Sequence, residues 1–250
     1  MRKDYTKRFQ SAPWALDEPF WVNLFGCGGI GSWSAVMLAR TGATISLVDM
    51  DAVEEVNMGG QLFRIEDIGQ SKTTALGRIC YSFGAKHVYD RNGEVNPEFF
   101  QSSAVSFDVP IWISAFDNML ARKLLFSKWK ELAVANDISK KSDIEGVPGK
   151  KGLLTPVFID GRLTAETFQV YAVTHPDQFE RFEKTMFDDE EVEDLPCSFK
   201  ATSHCAAMIG AVITGTVTNH ITNCMEGKVI REVPFETEFS MPLLMLNVIR

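Results

Sequence analysis

Six consecutive residues, Gly26-Cys27-Gly28-Gly29-Ile30-Gly31, have the spacing of a phosphate cradle. In the G-x-G-x-x-G pattern set by Gly26, Gly28 and Gly31, with Gly29 inside it, missing side chains let the backbone approach a phosphate closely. The helix that follows offers free N–H groups and the positive end of its dipole. The same spacing also serves a plain strand-to-helix turn, but an apolar strand before it and a helix after it favour a nucleotide. Asp49 lies about 20 residues beyond the loop, where a carboxylate can accept hydrogen bonds from ribose hydroxyls. A nicotinamide-dependent oxidoreductase reads the same up to this point. Asp51, Asn57, Gln61 and Lys72 come next, a polar set that hydride transfer does not need.

These residues need a βαβ frame to hold them. Phe20 to Phe25 is a short apolar run, Ser32 to Arg40 carries Trp33, Val36, Met37 and Leu38 at helical spacing, and Gly42 stops that helix. Thr44 to Val48, ending in Asp49, reads as the second parallel strand. Ser71 to Phe83 reads as a helix ended by Gly84, Val109 to Ser114 as a buried strand, and Met119 to Ala135 as a helix after Asp117-Asn118. Leu154 to Asp160 and Glu166 to Val173 read as strands, with Asn136 to Lys151 a loop between them and the helix before. Phe179 to Leu195, which includes Asp188-Asp189-Glu190-Glu191, is too acidic for a core and reads as a mobile excursion or lid. Ala206 to Thr218 reads as a buried helix, and Lys228 to Arg250 as one or two final strands. Alternating strands and helices predict an α/β, Rossmann-like, mostly parallel sheet covered on both faces.

Composition narrows the classes. The chain has 250 residues, 45% apolar and 23% charged, which suits a folded globular protein with a large core. A net charge of -8 works against broad binding to nucleic acid phosphates. MRKDYTKRFQ carries no apolar stretch of signal-peptide type, and no apolar run approaches the roughly 20 residues that span a bilayer. The expectation is a cytoplasmic protein without nucleic acid or membrane partners. Cys27, Cys80, Cys197, Cys205 and Cys224 form no C-x-x-C pair, and His87, His175, His204 and His220 show no metal spacing. Reduced thiols and no structural zinc are expected: Cys27 packs under the glycine loop, and Cys80, Cys205 and Cys224 read as core.

The block from Phe20 to about Lys72, together with Asp117-Asn118-Met119-Leu120-Ala121-Arg122 matching D-N-x-x-x-R, resembles the ThiF and MoeB family, bacterial relatives of the ubiquitin-activating enzymes. A looser similarity runs from Val157 to Val173. The resemblance implies a single adenylation domain over 1–250, with a nucleotide-binding half at 1–135, a partner-binding half with a sheet extension at 152–250, and loops at 136–151 and 179–195. It implies ATP and Mg2+ as cofactors, and adenylation of the C-terminal carboxylate of a ubiquitin-like or sulfur-carrier protein with a glycine tail, releasing pyrophosphate. Asp49 would hold the ribose, Asn57 and Lys72 would contact phosphates, Asp51 and Gln61 would belong to the same nucleotide site, and Asp117 would bind the metal. The attacking carboxylate and the α-phosphate are both anionic, so Lys72 and the metal on Asp117 would supply the positive charge. Asp117 can also act as a helix N-cap, and Lys72 can be a solvated lysine near a helix start. Arg122 reads as a solvent-facing residue or an ion-pair partner.

The chain departs from that family at several positions. An arginine that usually precedes the glutamine matched by Gln61 is replaced by Gly60, and Arg64, four residues on, could compensate if the segment is helical. The family implies a homodimer in which an N-terminal arginine acts in trans, and Lys7 and Arg8 in Tyr5-Thr6-Lys7-Arg8 stand at or beside the matching step. Cys197, after Pro196, occupies a place comparable to the thioester cysteine of many relatives, with Lys200 and His204 near it in sequence, or is a non-catalytic thiol. Asp160-Gly161-Arg162 and Glu166 open the partner-binding sheet. Arg162 could recognise a carboxylate or be a turn residue.

Overall fold

The computed structural model describes residues 9–101, 109–135, 145–147, 150–151, 154–187 and 203–250. Trp21–Phe25 forms β1, Gly29–Arg40 α1 and Thr44–Asp49 β2. Lys72–Ser82 forms α2, Val88–Asn92 β3, Ile111–Ser114 β4 and Met119–Ala135 α3. Glu145–Val147 (β5) and Lys150–Lys151 (β6) pair antiparallel, so the stretch expected as a plain loop contains a short hairpin.

Val157–Thr164 (β7) turns back into Thr167–Val173 (β8), then follow Phe179–Glu183 (α4), Ser203–Glu226 (α5), Glu236–Ser240 (β9) and Met245–Ile249 (β10). The eight-stranded sheet has the order β10-β9-β8-β7-β4-β1-β2-β3. The five strands from β3 to β7 are parallel, and β8, β9 and β10 extend the sheet antiparallel. None of the described helices is long and apolar enough to cross a membrane.

Two cores sandwich the sheet. On one face lie α1, α2 and α5, with Leu24, Ile45, Ile113, Ile159, Val170, Leu38, Leu76, Ile209 and Ile213 among the buried residues. The apolar residues Cys205, Ile209, Ile213, Val217 and Ile221 recur every four positions along α5, and all are buried. Gly210 lets α5 press against α1, because a Cβ there would lie 3.0 Å from the Ser34 nitrogen. Beneath the other face, Trp112, Phe126, Trp129, Phe158, Phe179 and Phe182 form an aromatic core.

This second core corrects the reading of 179–195 as an excursion from its first residue. Phe179 and Phe182, three apart on α4, bury under α3 while Glu180, Arg181 and Glu183 face out, so a sequence rich in charge still packs. Residues 188–202 lie outside the described residues.

The topology places the site. From β1 the chain moves outward through β2 to β3 and then returns to β4 on the opposite side of β1. The crevice at the carboxyl ends of β1 and β4 is the switch point where open α/β sheets bind ligands.

Candidate functional site

The glycine loop spans that crevice, and its three pattern glycines are not equivalent. Gly26 has φ +91, and a Cβ on it would lie 2.6 Å from the Ala115 carbonyl oxygen. A Cβ on Gly31 would overlap the Gly26 carbonyl oxygen. Both are required by the turn itself. Gly28 is different: a Cβ there would meet only the Gln61 amide nitrogen, at 3.9 Å. The space over Gly28 is therefore open to a ligand. α1 begins at Gly29 with no side-chain cap and no acidic residue in its first turn, leaving its positive end uncompensated.

Asp49 anchors the loop from β2. Its Oδ2 accepts the Cys27 N–H at 2.6 Å and its Oδ1 the Asp51 N–H at 2.8 Å. Burial raises its carboxyl pKa, and this outweighs the lowering from those two N–H donors and from Lys72. Cys27 is fully buried, and burial, followed by the negative Asp49, pushes its thiol well above the ordinary range. Its packing role is the expected one.

Lys72 opens α2 and is 7% exposed, so it is no solvated lysine. Its ammonium donates to Asp51 Oδ2 at 2.7 Å, and its N–H donates to the Asp51 carbonyl at 2.9 Å. An isolated bridge between Ala52 and Ser71 ties the two segments together.

The segment between them is pinned to α1. Trp33 Nε1 donates to the Gly60 carbonyl at 3.1 Å, and Ser32 Oγ accepts the Leu62 N–H at 2.9 Å. These two helix residues hold Gln61 against Gly28, and its Oε1 is buried with no protein partner. Asn57 caps its own turn, accepting the Glu54 N–H at 2.9 Å. Sequence reading passed over Ser32 and Trp33, although an indole in a largely buried helix needs a partner for its N–H.

Arg64 does not meet the condition set for it. The segment before it is not helical; Arg64 is extended and precedes a 3-10 turn at Ile65–Asp67. Its guanidinium is turned onto Asp67, with Nε to Oδ2 at 3.2 Å, and onto Glu66, with Nη1 to Oε1 at 2.7 Å.

Asp117 is exposed at the far wall of the crevice, two residues beyond the Ala115 carbonyl that touches Gly26. The cap of α3 is Asn118 rather than Asp117, because Asn118 Oδ1 accepts the Ala121 N–H at 2.8 Å. Arg122 is buried, not solvent-facing. Its guanidinium pairs with Asp160, donates to the Gly161 carbonyl at 3.0 Å and binds the Phe116 carbonyl, fixing the residue before Asp117.

Arg162 is a strand residue rather than a turn residue, and its fork is occupied. It binds Asp160 Oδ2 at 2.8 Å and Thr185 at its carbonyl (2.7 Å) and hydroxyl (2.9 Å), over the Tyr171 ring. Glu166 lies in the turn to β8. Lys7, Arg8, Cys197 and Lys200 lie outside the described residues. His204 is exposed near the start of α5.

A family model for the ThiF family matches residues 20–242. The chain belongs to the ThiF family. The nicotinamide enzyme that the first βαβ unit leaves open is thus not the family of this chain. The Escherichia coli (strain K12) tRNA threonylcarbamoyladenosine dehydratase is 36% identical over 79 residues, covering 31% of this chain and 25% of that protein. Ubiquitin-like modifier-activating enzyme 5 of Dictyostelium discoideum is 49% identical over 55 residues, covering 22% of this chain and 14% of its own length. These matches span a quarter or less of the curated relatives. Among solved structures, E. coli MccB with ATP aligns at a TM-score of 0.69 and 15% identity, covering 99% of this chain and 71% of that one. PaaA aligns at 0.64 and 18% identity, covering 97% and 74%. The structural likeness shows the shared fold.

Proposed function

We propose that this chain is an adenylyltransferase that uses ATP to activate a C-terminal carboxylate, that of a ubiquitin-like or sulfur-carrier protein, as an acyl-adenylate. The observation that carries the reading is the open space over Gly28, whose nearest neighbour is the Gln61 amide with its Oε1 buried and unpartnered, together with Asp49 on the loop and the buried Lys72. In this reading a carboxylate oxygen bonds to the α-phosphorus, the bond from that phosphorus to the β-phosphate oxygen breaks, and pyrophosphate leaves. Asp49 accepts from the ribose hydroxyls, and Asp51 holds Lys72 in place. Lys72, the amide nitrogen of Asn57 and the first turn of α1 meet the phosphates. Family membership and a structural neighbour solved with ATP support the nucleotide.

Asp117 would hold Mg2+. Among the described residues no group of three or more metal-ligating side chains occurs. One exposed carboxylate beside a phosphate site suits a cation that keeps most of its water and takes phosphate oxygens. The metal would neutralise charge developing on the leaving pyrophosphate. A homodimer supplying Lys7 or Arg8 across its interface, a thioester step at Cys197 and a cytoplasmic location belong to this proposal. One relative's name refers to a tRNA nucleoside, but the charge of -8 favours a protein or peptide substrate.

The test is ATP–pyrophosphate exchange dependent on a carboxylate partner. Tight ATP binding without exchange, across ubiquitin-like proteins and C-terminal peptides, would sink the catalytic reading. Gly28→Ala separates a ligand site from a simple turn. A methyl there touches nothing closer than 3.9 Å, so stability should hold within about 0.5 kcal/mol while ATP affinity falls at least about tenfold. Unchanged affinity would show that phosphate does not lie over Gly28.

A second reading, a non-catalytic nucleotide-binding relative, is favoured by Gly60 and by the engagement of Arg64 with Asp67 and Glu66. Gly60 has φ -133, which any residue can adopt, so Gly60→Arg restores a phosphate-side guanidinium without backbone strain. Exchange is expected to rise by about tenfold or more, consistent with restoring one missing transition-state donor. No rise, beside robust native turnover, would show that another group already fills that role.

A further inference from the structure

Three side chains from two elements converge at the end of the sheet opposite the glycine loop. His220 and Cys224 stand one turn apart on α5 and face Thr155, in the segment entering β7. His220 Nε2 lies 2.8 Å from the Thr155 carbonyl oxygen, 3.5 Å from the Thr155 hydroxyl and 3.6 Å from Cys224 Sγ. The Thr155 hydroxyl is 3.4 Å from the same sulfur. The imidazole is buried at 5% exposure, whereas the cysteine is partly exposed.

This cluster is far from the nucleotide crevice by two independent measures. Asp160, level with the carboxyl end of β4, is five residues from Thr155, about 16 Å along a strand. On α5, Ile213 packs near Gly161 and Cys224 lies eleven residues further, about 16 Å along a helix.

We propose that Cys224 is a reactive thiolate held by His220 and Thr155, and that it exchanges with low-molecular-weight disulfides. The thiol proton leaves to water, and the His220 Nε2–H, which donates to the Thr155 carbonyl, also faces the sulfur and stabilises the thiolate. The Cys224 sulfur then attacks one sulfur of the disulfide. A new S–S bond joins Cys224 to half of the reagent, the reagent's own S–S bond breaks, and the other half leaves as a thiolate that takes a proton. Cys224 is oxidised to a mixed disulfide, one reagent sulfur is reduced, and added thiol reverses the step.

The other described cysteines lack such surroundings. Cys27, Cys80 and Cys205 are fully buried, and burial pushes Cys27 well up and Cys80 up to about 12. Burial also works to raise Cys224, but the charge of His220 and hydrogen bonds from His220 and Thr155 outweigh it and bring the thiol down to about 7. Burial works against the His220 charge in turn, yet the adjacent Cys224 sulfur and the Thr155 carbonyl leave its pKa raised. Cys224 is therefore more ionised at neutral pH than an ordinary cysteine. The lower basicity offsets part of that gain in nucleophilicity.

The experiment treats the whole protein with oxidised glutathione at pH 7 and maps the modified peptides with time. Cys224 is expected to form the mixed disulfide at least about tenfold faster than Cys27, Cys80 or Cys205. His220→Gln should slow it by about fivefold or more, and Thr155→Val by a smaller factor. Reaction of Cys224 at the rate of the buried thiols, or a rate unchanged by His220→Gln in folded protein, would overturn the proposal. If His220→Gln unfolds the chain and exposes every cysteine alike, Thr155→Val decides: slowing at Cys224 supports the assignment and an unchanged rate overturns it. The site shares no residue with the nucleotide pocket, so its test is independent of the adenylation reading.

Discussion

Lys72→Met is expected to lower ATP–pyrophosphate exchange by about 100-fold or more while shifting the melting temperature by less than about 4 °C. The reasoning separates what the ammonium does in the fold from what it does to a phosphate. In the fold its partner is Asp51, whose side chain is 53% exposed, so water can replace the lost pair at a cost of about 0–1 kcal/mol. Methionine is close to lysine in length and keeps the buried stem packed at the start of α2. In the proposed reaction the same charge would meet the phosphate from a mostly buried position, where removing one such donor typically costs on the order of 100- to 1000-fold in rate. Parallel measurement of exchange rate and melting temperature checks both halves. Exchange within threefold of native would remove Lys72 from the phosphate side. A large loss of stability would instead make it a structural lysine. Asp51→Asn should give a smaller loss, because it frees Lys72 without removing its charge.

How much of this was legible in the sequence depends on how locally each feature is determined. The bounds of α3, Met119 to Ala135, follow from a strong local run behind the Asn118 cap. The strand-loop-helix around Gly26 to Gly31 is equally local. β3 went unread because Val88–Asn92 is a sheet-edge strand with five polar or half-exposed positions, which gives almost no alternation. Phe179 and Phe182 were hidden by the charges around them, since nothing local shows that an aromatic floor of Trp129, Phe126 and Phe158 awaits them. Gly28 reads the same as Gly26 and Gly31 in a motif. Only packing shows that two of the glycines serve the turn and one leaves room. The pairing of His220 with Cys224 is a visible i,i+4 spacing, but its meaning depends on Thr155, 65 residues earlier. The same holds for Arg122, whose partner lies 38 residues along the chain.

That dependence makes Arg122→Met the substitution with the largest expected effect on stability. Asp160 is fully buried and shared between Arg122 and Arg162, and the two guanidinium groups join α3, β7 and the Thr185 turn. Methionine would leave a buried carboxylate with one partner and strip the Phe116 and Gly161 carbonyls of their donor. Breaking a buried pair from one side typically costs about 3–5 kcal/mol. For a chain of this size each kcal/mol moves the melting temperature by about 2–4 °C, so a drop on the order of 10 °C is expected. Arg122→Lys should fall between, because an ammonium keeps the charge but cannot reach Asp160, Gly161 and Phe116 together. The double variant Arg122→Met with Asp160→Asn tests the cause. If the uncompensated carboxylate is what destabilises, the double variant should be more stable than Arg122→Met alone. If it is less stable, the loss comes from the orphaned carbonyls and the packing. In that case the coupling of Arg122 to the Asp117 segment runs through Phe116, and the melting-temperature drop should be accompanied by weaker ATP binding at temperatures where the chain is still folded.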